Sequence, residues 1–559
     1  MKKLFYSILL ALGSFSMSLA QSSILATPDW GVKIEITPYQ YIITFRPSEY
    51  EIVNDTLDDF IDVNHNGPFC HLQFTQDIYD HLENIGQAEL PFYSLSLQLP
   101  DAADIALINS ITPYLSDRNI IQLPYLYVPS QNRMESSYNN NVFFDSNYYS
   151  SNGATSTIAS ISSTYSYVGT AGVELTIHPF DYDPYNNKII IPDSIKIVVD
   201  VHSDENLLDM INHYSAHECT NDATIFYDTY AGLEVENHNE CLGEYIILTE
   251  DKYRNDLQSF VQHKNNLGYI VSMYDVETEH LSSADDIRQF LYNLYHKHND
   301  KPRFLLLVGN LSKIPTSAGI ENDDNNPPTD IYYACLEESS INDERNLYPE
   351  LYVGRWLVKN NDELKAIMQK TIISENVFRY TTLCHASLFS GDGQGARKFN
   401  NNVKWISNKV LSTLNYPNAY YLGNNSGITS NTMQSIIAAD TTWLFYFRGH
   451  GGININGSPY VLRVNDFYSN SYAYLGFSFA CWMGNVYQNC FAKKWLCDTQ
   501  KGGPLYFAST TMSYRDCNNH HSKRIFKMLK SDCNMHIAQM TVGGSNKYYG
   551  SLCTSVQRK

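Results

Sequence analysis

Two hydrophobic rhythms divide the chain. Near the start, Val32, Ile34 and Ile36 alternate with Lys33, Glu35 and Thr37, and further on Ile195, Ile197, Val199 and Val201 alternate with Lys196 and Asp200. A period of two between turn residues such as Asp181-Tyr182-Asp183-Pro184 predicts half-buried antiparallel strands from about 22 to 200. Helical spacing is sparse there, so the expected product is an all-β sandwich. From residue 245 the rhythm changes. Fully apolar runs (Tyr245–Leu248, Tyr269–Val271, Phe304–Val308, Leu351–Val353) are separated by amphipathic segments. Ser283 is placed to cap a helix that puts Ile287, Phe290, Leu291, Leu294 and Tyr295 on one face, and Leu364, Ile367, Met368, Thr371 and Ile372 repeat the spacing. Apolar strands alternating with amphipathic helices predict a parallel sheet covered on both faces.

A second round begins near residue 380, with strand candidates Ala386–Phe389, Ala419–Leu422, Trp443–Phe447, Leu475–Phe479 and Leu505–Ala508. Two α/β units in series follow the β region. The junction is marked by charge: no Lys or Arg lies between Lys196 and Lys252, while ten acidic residues from Asp204 to Glu244 accumulate. Like charges repel and resist packing, so this stretch reads as a boundary.

Composition refines the picture. With 39 Lys+Arg against 59 Asp+Glu, the net charge of −20 argues against a nucleic-acid partner, which normally meets a basic patch. The N-terminus carries Lys2 and Lys3, a short apolar run Leu4–Leu12, and small residues Ser18 and Ala20 before Gln21, the pattern of a secretory signal peptide over 1–20. No other apolar stretch is long enough to span a membrane. The expected destination is secreted, periplasmic or cell-surface. In such an oxidising setting the 11 cysteines should pair unless a thiol is needed for chemistry, and an odd number leaves at least one over. Cys219 and Cys241 are one pair that could close across the acidic junction.

In parallel sheets, reactive groups gather beyond the carboxyl ends of strands. Two strand ends stand out: Trp443–Phe447 running into Arg448-Gly449-His450-Gly451-Gly452, and Leu475–Phe479 running into Ala480-Cys481-Trp482-Met483-Gly484. Each apolar run stops at a reactive side chain flanked by small residues that let a substrate backbone approach. A cysteine nucleophile needs an imidazole nearby to move its proton, and the backbone N–H groups of Gly451 and Cys481 could hold an oxyanion. The residues alone also allow a core cysteine and a solvated turn histidine.

The paired pattern, with Cys490-Phe491-Ala492 and Phe507-Ala508-Ser509-Thr510 following in order, resembles the gingipain-type family of cysteine peptidases in the caspase-like clan. Phe304–Asn310, Ile314-Pro315, Asp330–Tyr333 and Tyr348–Arg355 are similar to the first caspase-like subdomain of that family. The resemblance implies an α/β caspase-like catalytic region of two parallel-sheet subdomains preceded by an all-β sandwich prodomain. The boundaries are a signal peptide at 1–20, the prodomain at 21–235, subdomain A at 236–378 and catalytic subdomain B at 379–559. It also implies a zymogen that hydrolyses protein or peptide substrates with no required cofactor. A carboxylate after the first strand of the second subdomain would orient the histidine, which singles out Asp392 in Phe389-Ser390-Gly391-Asp392-Gly393. Two other readings of that segment stay open: a plain Gly/Asp turn, and the dinucleotide fingerprint Gly391-x-Gly393-x-x-Ala396. The latter lacks the acid expected about 20 residues on.

Three departures matter. The Asp that gives the Arg-specific members their preference would fall near Asn400, an uncharged residue, and Tyr514 takes a neighbourhood where the family often carries Trp. The family pattern continues into further C-terminal domains, whereas this sequence ends at Lys559, which invites the reading of a C-terminally truncated member. The acidic loop Glu321–Asn326 with Asp330 could supply oxygen ligands to a structural Ca²⁺, although its spacing is not that of an EF-hand. The competing functional reading is a non-catalytic secreted binding or adhesion protein on a degenerate peptidase scaffold. Convergence of Cys481, His450 and Asp392 would argue against it.

Overall fold

The structure, a computed structural model, describes residues 23–27, 31–55, 69–74, 80–81, 86–99, 108–129, 144–151, 157–167, 170–202, 207, 244–297, 302–318, 327–336, 349–380, 385–391, 396–414, 435, 442–452, 455–457, 460–462, 475–513, 515–531, 537 and 541. The signal-peptide segment, the acidic junction with Cys219 and Cys241, the loop Glu321–Asn326, the strand candidate Ala419–Leu422, Asp392 and Tyr514 lie outside the described residues.

The N-terminal region is built from antiparallel sheets. One runs Ser23–Thr27, Val32–Thr37, Gln40–Phe45, Ile195–Val201, Ile108–Leu115; another runs Ala159–Tyr167, Thr170–Ile177, Pro91–Leu99, Asp80–His81. The period-two pattern has the expected effect. Val32, Ile34, Ile36, Ile195, Ile197 and Val199 are buried while Lys33 and Lys196 face out, and both sheets contribute to one core with Leu95, Leu97, Val173 and Leu175. These inner faces packed on a shared core match the all-β layer expected from the sequence.

Two four-stranded parallel sheets follow. The first is ordered Ile270–Asp275, Glu244–Thr249, Pro302–Val308, Tyr352–Trp356, and the second His385–Ser390, Thr442–Arg448, Leu475–Phe479, Leu505–Ala508. Their strands read as continuous apolar runs because helices cover both faces. In the first, helix Ala284–Lys297 buries Ile287, Leu291, Leu294 and Tyr295. Its entry is a reciprocal cap: the Asp286 amide donates to Ser283 Oγ at 3.1 Å, and the Ser283 amide donates back to the Asp286 carboxylate at 2.9 Å. In the second, Phe477 is fully buried against Phe526 of helix Arg515–Ser531, with ring centroids 5.5 Å apart. Each such side chain contributes about 1.5–3 kcal/mol relative to exposure.

The two sheets are tied together by helices. Lys370, on helix Asn361–Tyr380 of the first, donates to the carbonyls of Trp495, Asp498 and Lys501 at 3.0, 2.8 and 3.1 Å. Trp495 and Asp498 lie at the C-terminal end of helix Phe491–Cys497 and Lys501 follows it, a place where a cation suits the helix dipole. Burial lowers the Lys370 pKa to about 8.

The expectation of paired cysteines differs from what is seen. Cys70, Cys335, Cys481, Cys490 and Cys497 are all thiols. Cys70, Cys335, Cys481 and Cys490 are buried. Cys490 and Cys497 bracket one helix and are too far apart along it to bridge. Burial raises the pKa of Cys70 and Cys490 and pushes that of Cys497 up to about 12, which keeps these three protonated and inert.

Candidate active site

The second sheet places its reactive residues by register. Strands Thr442–Arg448 and Leu475–Phe479 are parallel neighbours, with Leu444 opposite Leu475 and Arg448 opposite Phe479. Carrying that register two residues further puts His450 opposite Cys481, both just beyond the carboxyl edge. The backbones stay together past the strand ends. A Cβ on Gly451 would stand 2.5 Å from the Cys481 carbonyl oxygen and 3.0 Å from its nitrogen, so only glycine allows this approach. On the other side, strand His385–Ser390 pairs Ser390 with Arg448, and the Gly391 amide donates to the Arg448 carbonyl at 2.8 Å. Residue 392 follows directly, so the chain leaves this strand beside the histidine turn.

His450 is half-buried, with Phe399 of helix Ala396–Lys409 edge-on to its ring at 5.3 Å. Phe399 also carries the Arg448 guanidinium over its face at 4.5 Å. Arg448 is fully buried. Its Nη1 donates to the Phe479 carbonyl at 2.8 Å and its Nε to Asn519 Oδ1 at 2.7 Å. The guanidinium thus laces the end of the histidine strand to the end of the cysteine strand and to the next helix. One residue from Phe399, the Asn400 Oδ1 is buried without a hydrogen-bond partner among the described residues.

Cys481 is 5 % exposed. Its sulfur meets Ser513 three times: the Ser513 amide donates to Sγ at 3.4 Å, the Ser513 hydroxyl approaches Sγ at 3.8 Å, and Sγ can donate to the Ser513 carbonyl at 3.4 Å. Asn518 Nδ2 donates to Ser513 Oγ at 2.8 Å. The next residue, Trp482, adopts φ of 54°, a left-handed conformation that a bulky side chain rarely takes. Its amide donates to the Thr511 carbonyl at 2.9 Å and that of Gly484 to Ser509 at 2.8 Å, which pins the turn after the cysteine to the end of strand Leu505–Ala508. Such strain at the end of a buried strand re-aims the chain at the cysteine.

Sequence reasoning singled out His450, Gly451 and Cys481, and the structure brings their backbones together. It missed Arg448, Ser513, Asn518 and the Trp482 turn. Arg448 had a signal, a cation closing an otherwise apolar run, whereas Ser513 had none because it arrives from 32 residues downstream. Asp330, counted with the proposed Ca²⁺ loop, has both carboxylate oxygens engaged by Arg355 at 2.8 and 2.7 Å. Among the described residues, no group of three or more His, Cys, Asp or Glu is arranged to hold a metal, and no helix is long and apolar enough to cross a membrane.

The chain is similar to proteins of one kind. The model of peptidase family C25 matches residues 239–559, and Propeptide_C25 matches residues 59–217. Gingipain R1 of Porphyromonas gingivalis is 22% identical over 337 residues, covering 56% of this chain and 31% of the relative. Gingipain R2 of Porphyromonas gingivalis (strain ATCC BAA-308 / W83) is 22% identical over 404 residues, covering 68% of this chain and 50% of the relative. The chain therefore spans between about a third and a half of these curated relatives. Among solved structures, the complex of Porphyromonas gingivalis RgpB pro- and mature domains aligns with a TM-score of 0.46 at 20% identity, over 55% of this chain and 76% of that one. The peptidase match runs over more than half of the residues and takes in both parallel sheets and the Cys481 edge, and this chain belongs to peptidase family C25.

Proposed function

We propose that the chain is the zymogen of an exported cysteine endopeptidase that works at the carboxyl edge of its second sheet. Cys481, its thiol proton passed to His450, attacks the scissile carbonyl carbon through Sγ. The carbonyl electrons move to the oxygen, which the amides of Gly451 and Cys481 receive. Collapse of that intermediate breaks the C–N bond, and His450 gives its proton to the departing amine, leaving a thioester on Cys481. Water then adds to the thioester with His450 as base, releasing the acid and restoring the thiol. Asp392 holds the imidazole in the tautomer this exchange requires. The chemistry needs water and no cofactor.

The observation that carries the reading is the shared register: His450 and Cys481 stand at corresponding positions past two adjacent parallel strands, with the Gly451 backbone against Cys481. Protein or peptide substrates follow from the family, and export from the N-terminal pattern. An uncharged Asn400, in place of an acidic residue, supports cleavage after residues other than Arg and Lys. The deciding experiment compares a processed form of the protein with its Cys481→Ala variant on a peptide library. Turnover should fall by at least about 10³-fold, in line with the loss of a covalent nucleophile. Equal turnover in the variant would leave the binding or adhesion reading as the better one.

A further inference from the structure

The contacts of the Cys481 sulfur are not accounted for by the histidine. Ser513 offers it two donors, the backbone amide at 3.4 Å and the hydroxyl at 3.8 Å, and one acceptor, its carbonyl at 3.4 Å. A thiol can use the acceptor, whereas a thiolate can use both donors. Two donors against one acceptor favour the thiolate. The hydroxyl proton is steered there by Asn518, which is buried and donates its amide hydrogen to Ser513 Oγ at 2.8 Å. With that lone pair taken, the hydroxyl keeps its hydrogen to donate to Sγ. Ser513 also stands two residues ahead of helix Arg515–Ser531, whose positive end favours an anion.

We propose that Ser513, held by Asn518, is a positioning residue that stabilises Cys481 as the thiolate. The proposal rests on the reading of Cys481 as nucleophile and adds a second support for its charge. On the elements packed against Cys481, the other titratable and charged residues are Tyr446, Arg448 and His450 on the neighbouring strand and its end, Tyr506 on strand Leu505–Ala508, and Arg515, Asp516, Cys517, His520, His521, Lys523, Arg524, Lys527 and Lys530 on the helix. None of these is altered by the substitutions below.

The test titrates the thiolate itself in the full-length chain, by its ultraviolet absorbance taken as the difference from the Cys481→Ala variant, so that the remaining ten cysteines cancel. Ser513→Ala should move the Cys481 midpoint up by about one to two units, the scale of one lost hydrogen bond to a charged acceptor. Asn518→Ala should move it in the same direction by less, and Ser513→Thr, which keeps the hydroxyl, should restore it. An unmoved midpoint in Ser513→Ala, with the thermal unfolding of Ser513→Thr unchanged, would overturn the proposal. The readout does not depend on peptidase turnover. If Cys481→Ala retains turnover while Ser513→Ala shifts the midpoint, the functional reading fails and the thiolate support stands.

Discussion

Single residues at the edge of the second sheet do work that their neighbours in sequence do not announce. Trp482 accepts a left-handed backbone, which costs a non-glycine residue about 1–2 kcal/mol, and two backbone bonds to the following strand hold it there. His521 shows the opposite kind of commitment. Its ring sits between Phe479 and Phe507 at centroid distances of 5.7 and 5.8 Å, and burial lowers its pKa to about 4. Below a pH near 6.5 the unfolded chain binds a proton there that the folded chain refuses. Stability from this group is therefore full above about pH 6.5 and is lost as pH falls towards about 4. Replacing His521 by Phe should flatten the acid slope of urea-unfolding stability by about 1–3 kcal/mol over that window. A slope identical to that of the parent would show that the ring is protonated in the fold.

At the scale of elements, the parallel strands and the helices that cover them are the readable part. The apolar runs Phe304–Val308, Trp443–Phe447 and Leu475–Phe479 and the Ser283-capped helix are found where the pattern puts them, because burial on both faces leaves no polar choice along those stretches. The links between elements are less visible. Lys370 sits on a helix of the first sheet, and nothing in its spacing says that it will close the end of a helix from the second. Lys370→Met would remove the ammonium donor that the Trp495, Asp498 and Lys501 carbonyls share. It should lower stability by about 1–3 kcal/mol in chemical denaturation, with the loss of coupling between the two sheets visible as earlier exchange of amides in helix Phe491–Cys497. If exchange in that helix stays unchanged, the lysine is not what holds the two units together.

At the scale of the whole molecule, the order is propeptide, first sheet, second sheet, and the junction between the first two has a chemical signature. The propeptide match ends at residue 217 and the peptidase match begins at 239, so the interval between them falls wholly inside the stretch from Lys196 to Lys252 that contains no Lys or Arg. Release of the propeptide in that interval must therefore follow a residue that is neither. N-terminal sequencing of the processed form should return a start after a non-basic residue, and a start after Lys or Arg would place activation outside the interval. Periodicity and strand-end chemistry are local, and they are enough to encode the antiparallel region, the two parallel sheets, and His450 and Cys481 as the groups left at buried strand ends. Tertiary structure alone decided which residues meet across long separations. The contact of Ser513 with Cys481, the lacing of strand ends by buried Arg448 and the capping by Lys370 arise from packing between segments distant in sequence. A hydrogen bond depends on position in space, and no local pattern of apolar and polar residues records where a distant donor will arrive.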